Sequence, residues 1–545
     1  MNHPVSTALF DQFARGWRGA TLVALIALAA SQFGAARTPV WDLAEASFAQ
    51  TSRQMLEAGE FAAGPIWGAH LAQAAAAHFG GGPSERIWFY RLTSALGLVL
   101  AALATLWAGA PLVGRRAAFL GASLFAAGML VGFESAIATA DTLAMGFGTL
   151  AMAALARLYG SSANPRVHAA IFWLAIIGGV LIAGAAPLII ASAALLVLGL
   201  WERRGRWMAP LLWPPLALAV LTALSWAAAN ALSAHAVVPS QTAPGLPAPP
   251  SYHLFLLSFL LFPASYALPA AARLAFGALR GAPSDNELGG SRFLLVWVAP
   301  LFMVAELTPA KLPQDAMASY PAIALMCGAG LMAMRGRRWR TTHPLGVALF
   351  AVSGAALAAI MALAAMLMSG GFEADVRRAV AAGAIGAVIV GAACVGLLML
   401  RRPAARAAVL IVCALALSFS LRDRLIPDVR GFFVSSEATT ALTRARLLPN
   451  ETRKLWVIGH EPAGIVFLTR GSTLEASPSE VGAEARAGDA ILVEGRVREQ
   501  TLAELASHGL DFVEAAPAVR GHSFVRDRRV SLYVGEVRAA PDQRP

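Results

Sequence analysis

The sequence predicts an all-α bundle of membrane-spanning helices followed by a small soluble domain of the α/β or α+β class. Hydrophobic residues make up 57% of the 545-residue chain and charged residues only 14%, whereas soluble globular proteins carry about 25% charged residues. Stretches such as Thr21–Ala36, Leu345–Met368 and Val380–Leu400 contain no charge at all. Apolar runs of about 20 residues are long enough to cross the ~30 Å hydrocarbon core of a bilayer. The chain is therefore a multi-pass membrane protein.

Apolar runs divide residues 1–421 into about thirteen predicted transmembrane helices. The first, Thr21–Ala36, lacks a small-residue cleavage site, so we expect it to be retained as a signal anchor. The run Ala169–Leu200 is long enough for two shorter crossings, with a break near Gly184 and Pro187. The other spans are expected at about Phe89–Ala110, Ala117–Gly132, Thr142–Leu158, Trp207–Leu232, His253–Leu279, Phe293–Glu306, Ala316–Met334, Leu345–Met368, Val380–Leu400 and Ala407–Leu421.

The net charge of +11 is distributed over short loops between the apolar segments. This pattern indicates the positive-inside bias of membrane proteins, and we expect no nucleic-acid partner. With Arg15 and Arg18 in the cytoplasm, thirteen crossings place the C-terminal domain, residues 422–545, in the periplasm of a bacterial inner-membrane protein. The basic loops that share the cytoplasmic side in this topology contain Arg115, Arg116, Arg166, Arg203, Arg204, Arg206, Arg280, Arg292, Arg335, Arg337, Arg338, Arg340, Arg401 and Arg402.

The C-terminal domain, unlike the bundle, combines strand-like segments with a helical one. Leu455–His460, Ala490–Glu494 and Val530–Val534 have the composition of strands, and Arg498–His508 has helical spacing. The segment contains no glycine-rich phosphate loop, zinc-ligand spacing or nucleophile elbow. We expect a small domain without catalytic residues.

Residues 37–88 form the first long polar segment after the first predicted helix. Within it, Trp41–Phe61 has apolar residues at near-helical spacing, interspersed with charges that include Asp42, Glu45 and Arg53. This pattern predicts an amphipathic helix at the membrane surface. The charges have two interpretations: they belong to a site, or they are simply solvated at the interface.

This segment resembles the GT-C glycosyltransferases of the protein O-mannosyltransferase and aminoarabinose lipid A transferase superfamily. That family has an acidic pair in its first external loop, followed by an aromatic residue, Ala and an Arg-x-Met-Leu-x-x-Gly-x-Trp pattern. Further resemblances, weak singly but in the family's order, cover most of the chain. The matching residues are Glu45, Phe48, Ala49, Arg53, Met55, Leu56, Gly59 and Phe61, then Arg91–Leu96, Ala140–Thr142, Lys311–Pro313, Tyr320 and Pro321.

The chain also departs from the family pattern. Ala44 stands where the first acid of the pair is expected, although Asp42 lies two residues earlier. The lysine of a Thr-Lys-Gly-Pro motif is missing from Ile182–Ala185, and Asp315 stands where a tyrosine is expected. A Lys-Pro-Pro-Leu stretch has no counterpart near His70.

The resemblance implies transfer of a sugar from a polyprenyl-phosphate donor to a lipid, glycan or protein acceptor on the periplasmic face. Such a reaction needs a carboxylate to accept the acceptor's proton and positive charge, or a divalent metal ion, to stabilise the leaving phosphate. Glu45 and Asp42 are the catalytic candidates. The substrate-binding and phosphate-binding candidates are Arg53, Arg91, Lys311, His70, Asp141 and Tyr320.

Each candidate also has a structural interpretation. Arg91 can extend its charge to the lipid interface, Arg53 can pair with Glu57 one turn later, and Asp141 can cap a helix. A catalytically degenerate relative that binds lipid or a partner protein is therefore the alternative function. A transporter is disfavoured, because the sequence has no clear internal repeat and few ionisable residues within its spans.

Overall fold

The computed structural model describes residues 10–540 except 15, 43, 59–65, 82–85, 161–162, 185, 203–204, 214–245, 281–284, 335–341, 370–372, 462 and 525–527. The described residues up to 418 are mainly helical, as the apolar sequence predicts. The helices are α1 Trp17–Gln32, α2 Ala44–Ala58, α3 Trp67–Phe79, α4 Ile87–Val113, α5 Arg115–Ala126, α6 Met129–Glu134, α7 Asp141–Tyr159, α8 Pro165–Ala183, α9 Ala186–Glu202, α10 Tyr252–Leu260, α11 Leu268–Leu279, α12 Asp285–Leu307, α13 Tyr320–Ala333, α14 Thr342–Met368, α15 Glu373–Met399 and α16 Pro403–Ser418.

Seven helices in the described part of the chain are long and apolar enough to cross a membrane, and the bent pair α10–α11 makes an eighth if it counts as one span. The expected number of thirteen is not reproduced by this criterion. Helices α9 and α13 are apolar but shorter, and the predicted helix Trp207–Leu232 lies mostly outside the described residues. The predicted break in Ala169–Leu200 is confirmed, because α8 ends at Gly184, which has a φ of +65°.

Two predicted helices are interrupted. The run Ala117–Gly132 divides into α5 and α6 at Ala127 and Gly128. The run His253–Leu279 bends by 112° between α10 and α11, at a segment that contains Pro263. A proline lacks the N–H that a continuous helix requires. Both interruptions direct backbone groups into the interior: the N–H of Met129 donates to the carbonyl of Phe262 at 2.8 Å.

The C-terminal domain contains a five-stranded mixed sheet with strand order β4-β3-β5-β7-β6. Its central strands are buried because α17 and α18 contribute to one apolar cluster and α19 and α20 to another. All four predicted elements are confirmed, although β7 is longer than expected and the long β6 was not predicted. The elements are α17 Val434–Arg444, β3 Leu455–Ile458, α18 Ala463–Leu468, β4 Thr473–Ala476, α19 Pro478–Glu484, β5 Ala490–Glu494, α20 Arg498–Ser507, β6 Leu510–Ser523 and β7 Arg528–Ala539.

The last span is joined to α1 and to the residues that follow it. Helix α16 continues through a π-helical turn, Phe419–Asp423. Within this turn Arg422 Nη1 donates to the carbonyl of Ala30 at 2.6 Å, and Asp423 accepts the N–H of Gly34 at 3.3 Å. Arg37 pairs with Asp423 at 3.4 Å. The end of the bundle and the start of the C-terminal domain are thereby fixed beside the polar segment 37–88.

Candidate functional site

Glu45 and Arg91 form a buried ion pair at the base of the polar segment. Arg91 Nε and Nη2 donate to the Glu45 carboxylate at 2.8 and 2.7 Å, and both residues are 1% exposed. The carboxylate also accepts the backbone N–H groups of Trp41 and Ala138 at 3.0 and 2.7 Å. The other three N–H groups of the guanidinium, which has five in all, donate to the carbonyls of Ala35, Thr38 and Pro39. The pair therefore joins residues 35–45, helix α4 and the segment before α7.

Asp42 lies between the polar segment and the C-terminal domain. Its Oδ2 accepts the N–H of Ser435, in the first turn of α17, at 3.2 Å. Its Oδ1 is buried without a partner among the described residues. Burial raises the pKa of Asp42 to about 6, opposed by the hydrogen bonds with Ser435. A carboxylate at a helix N-terminus is stabilised by the exposed N–H groups there. Asp42 therefore holds the start of α17 against the polar segment 37–88.

Arg53 connects the amphipathic helix α2 to α18. Its Nη1 donates to the carbonyl of Phe467 at 2.8 Å, and its guanidinium lies 4.8 Å from the centre of the Phe467 ring. Nη2 donates to the side chain of Gln50 one turn earlier, and Glu57 lies 3.7 Å from Nε. Arg53 is 1% exposed, so its guanidinium interacts with these protein groups and not with solvent.

His70 belongs to the contact between α2 and α3. Its ring stacks on Phe48 with 4.0 Å between centroids, and its Nδ1 hydrogen-bonds Ser52 Oγ at 2.9 Å. Burial lowers the pKa of His70 to about 4, opposed by a backbone hydrogen bond at Phe48. His70 is therefore a neutral packing residue at pH 7 in this structure.

Lys311 lies in a short two-stranded element, where β2 (Ala310–Lys311) pairs antiparallel with β1 (Leu246–Pro247). Its Nζ donates to the carbonyls of Thr308 at 2.5 Å and Ala248 at 3.2 Å, and the residue is 2% exposed. A lysine ammonium has three N–H donors. Two of them are thus engaged by backbone carbonyls of described residues.

A second group of polar side chains lies beyond Lys311, around Asp315. The Asp315 charge acts on Asp141 and on the phenols of Tyr252 and Tyr320. Asp315 is exposed and accepts the N–H of Leu312 at 2.7 Å. Asp141, the first residue of α7, is exposed as well. The buried hydroxyl of Tyr320 has no partner among the described residues. We call these four residues the Asp141 recess.

Residues 134–141 link the ion pair to the Asp141 recess. Ala138 hydrogen-bonds Glu45, while Asp141 begins α7 only three residues later. Glu134 interacts electrostatically with Asp141 and with Arg422. The candidates thus divide into two groups: Glu45, Arg91, Asp42, Arg53 and His70 hold the polar segment together, whereas Asp141, Tyr320 and Lys311 lie in or beside the recess.

Sequence reasoning missed Asp315 and Tyr252. Asp315 was noted only as a departure from the family pattern, although its position four residues after Lys311 was a usable signal. Tyr252 ends a proline-rich segment and carried no distinguishing pattern. Over the described residues, no group of three or more His, Cys, Asp or Glu side chains is arranged to hold a metal ion.

The bundle and its capping domain together have the architecture of the GT-C fold. Among solved structures, ArnT from Cupriavidus metallidurans bound to undecaprenyl phosphate is similar over 94% of this chain and 97% of its own, with a TM-score of 0.70 and 17% identity. Its apo structure gives a TM-score of 0.71 and 15% identity over 97% and 98% of the two chains.

The archaeal oligosaccharyltransferase AglB from Archaeoglobus fulgidus, in complex with an inhibitory peptide and a dolichol-phosphate, is a more distant match. It covers 91% of this chain and 71% of its own, with a TM-score of 0.51 and 11% identity. No family model matches the chain, and no curated protein matches its sequence. The GT-C resemblance predicted from short motifs is confirmed at the level of the fold.

Proposed function

We propose that this protein is a membrane glycosyltransferase that moves a sugar from a polyprenyl-phosphate donor to a lipid, glycan or protein acceptor. The observation that carries the proposal is the likeness to ArnT over almost the whole of both chains, with undecaprenyl phosphate bound in that structure. AglB, whose structure contains a dolichol-phosphate, supports the same carrier class. Transfer would take place on the side of the membrane that holds the C-terminal domain, which the charge distribution predicts to be the periplasm.

In the transfer step, an acceptor oxygen attacks the anomeric carbon of the sugar. The bond between that carbon and the phosphate oxygen breaks, and the polyprenyl phosphate leaves with the electron pair. The acceptor's proton passes to a carboxylate. We assign this role to Asp141, with Asp315 beside it, because both carboxylates are exposed to an incoming substrate.

Glu45 and Asp42 have different roles in this proposal. Both Glu45 oxygens are already occupied by Arg91 and two backbone N–H groups. Asp42 is turned toward α17. We propose that they position the polar segment, together with Arg91, Arg53 and His70, and that none of the five touches the reacting atoms.

Lys311 is the cation proposed to bind the donor phosphate. Two of its three N–H groups are bound to backbone carbonyls, which holds the ammonium in place, and the third is the donor proposed for the phosphate. Tyr320 supplies a buried hydroxyl within the Asp141 recess. A fixed positive charge at this position would stabilise the leaving group.

The test is transfer from radiolabelled polyprenyl-phosphate sugars by the purified protein. We expect Asp141→Asn to reduce transfer by at least about 100-fold, in the range typical of a general base, while the protein remains folded. The matched control is Asp511→Asn, at an exposed position of the C-terminal domain, which should leave transfer unchanged. Wild-type rates in Asp141→Asn would overturn the assignment.

A catalytically degenerate, lipid-binding relative is the second candidate. It is favoured by one observation: the carboxylate at the position that most resembles the family motif, Glu45, is fully engaged in internal contacts. This alternative predicts saturable binding of polyprenyl phosphate without turnover of any lipid-linked sugar. Turnover of one such donor would exclude it.

A further inference from the structure

A cavity separate from the Asp141 recess lies where the C-terminal domain meets the ends of two membrane helices. It has a volume of about 530 Å³. On one side it is lined by Met366–Met368 at the end of α14, by Ser369 just after it, and by Val376 in the first turn of α15. On the other side it is lined by residues 520–522 of β6 and 529–531 of β7. One wall is thus apolar and the other belongs to a polar hairpin.

The hairpin presents a basic face to this cavity. Arg520 pairs with Ser531 and His522 pairs with Arg529 in the antiparallel register of β6 and β7. Residues two apart on a strand, and their cross-strand partners, share one face of a sheet. Arg520, His522, Arg529 and Ser531 therefore lie on the same face. The alternate residue Val530 is 4% exposed and packs into the domain core.

The charges on this face are available to a ligand. Arg520 and Arg529 are both exposed, and neither forms an ion pair or a side-chain hydrogen bond with another described residue. The described residues that line the cavity include no carboxylate. No ion pair with a described residue neutralises these two arginines, and guanidinium groups bind phosphate oxygens in a bidentate manner.

The apolar wall is continuous with the outer surface of the bundle. Met366 is 38% and Leu367 54% exposed, and Leu363 and Val380 farther along the same helices are 55% and 54% exposed. In a membrane, such surfaces contact acyl chains. The hairpin is held against these helix ends by the linker before α17, where Gly431 lies directly against the carbonyl of Met368.

We propose that this cavity binds an anionic membrane phospholipid, whose phosphate contacts Arg520 and Arg529 and whose acyl chains follow α14 and α15. The site is distinct from the proposed transfer site and needs no catalysis. The lipid would attach the C-terminal domain to the membrane surface. Anionic lipids attract arginines near the surface by an amount equivalent to about a fivefold gain in affinity for each residue.

The experiment compares phosphatidylglycerol with phosphatidylcholine as ligands of the full-length, detergent-purified protein, with bound lipids counted by native mass spectrometry. We expect the wild type to bind phosphatidylglycerol more tightly than phosphatidylcholine. The double variant Arg520→Gln/Arg529→Gln should bind phosphatidylglycerol roughly 25-fold more weakly. The preference should also weaken as salt is raised.

The matched control is Arg486→Gln/Arg496→Gln. It removes the same charge from two exposed arginines of the same domain that do not line the cavity. The control should keep wild-type affinity, and both variants should show the wild-type unfolding temperature. Three results would overturn the proposal: equal affinities in the two double variants, equal binding of the two lipids, or full displacement of phosphatidylglycerol by millimolar inorganic phosphate, which would mean that the apolar wall contributes nothing. Because the measurement is binding, its failure would leave the transfer proposal untouched.

Discussion

The buried ion pair between Glu45 and Arg91 could not be predicted from the sequence. The family resemblance predicts each residue singly, Glu45 as a catalytic carboxylate and Arg91 as a phosphate ligand. Their 46-residue separation gives no sign that they bind each other. In the fold, the guanidinium and the carboxylate bind each other and backbone groups of three chain segments, which leaves none of the guanidinium N–H groups free. These contacts depend on the fold and leave no pattern in the sequence.

We expect Glu45→Gln to destabilise the protein by about 3–5 kcal/mol, because it leaves the buried guanidinium without its counter-charge. Thermal unfolding in detergent measures the effect. Since Glu45→Gln/Arg91→Met removes both charges, it should cost less than the sum of the two single changes. If Glu45→Gln unfolds like the wild type yet has no transferase activity, the proton-accepting role returns to Glu45.

Asp42 makes stability depend on pH in a direction opposite to that of most salt-bridged carboxylates. Its pKa rises from the ordinary 3.8 to about 6 on folding, so the folded state binds more protons between these values. The contribution of Asp42 to the free energy of unfolding therefore falls as the pH rises from about 4 to 6, by no more than about 3 kcal/mol.

The substitution Asp42→Asn keeps an oxygen that can accept the Ser435 N–H, and it removes this loss of stability at high pH. The variant should unfold at a higher temperature than the wild type at pH 8 and at a similar one near pH 4. Parallel curves at all pH values would show that folding leaves the pKa of Asp42 unchanged.

At the scale of elements, the apolar helices and the central strands could be predicted because each depends on local composition. Helix α4 extends the expected span Phe89–Ala110 by two or three residues at each end, and β5 has the expected bounds. The hairpin β6–β7 was missed in part because few residues of β6 are buried and the strand includes Pro517, so no strict alternation is visible. The surroundings of α2 could not be predicted either. Its polar face packs on α18, more than 400 residues away, and long-range contacts leave no local pattern.

The linker before α17 approaches the end of α14 very closely at Gly431. A Cβ added at this position would lie 1.7 Å from the carbonyl oxygen of Met368, so the linker or the helix end must move. We expect Gly431→Ala to loosen the C-terminal domain and to increase its release by limited proteolysis several-fold. The control is Gly391→Ala in α15, where an added Cβ meets nothing within 4 Å. Equal proteolysis of the two variants would show that the contact is not required for docking.

At the scale of the whole molecule, the orientation in the membrane is a prediction from charge. Helix α16, the π-helical turn and the short helical turn after it form one candidate span, Pro403–Asp428, that leads directly into the C-terminal domain. Reporter fusions after Arg402 and after Arg430 should therefore report opposite sides, cytoplasmic and periplasmic respectively. If both fusions reported the same side, Pro403–Asp428 would not cross the membrane. A cytoplasmic signal after Arg430 would contradict the predicted location of the C-terminal domain.

The contacts between the first helix and the last span also set the order of events during synthesis. Gly34 and Asp423 are 389 residues apart in the chain, and ribosomes add about 5–20 residues per second. Residues 37–88 must therefore wait roughly 20 to 80 s after their own translation before Arg422, Asp423 and α17 exist to hold them. During this interval their buried charges have only early partners such as Arg91. A chain that is released before residue 423 would insert most of its helices and still lack the contacts that hold residues 37–88 against the end of the bundle.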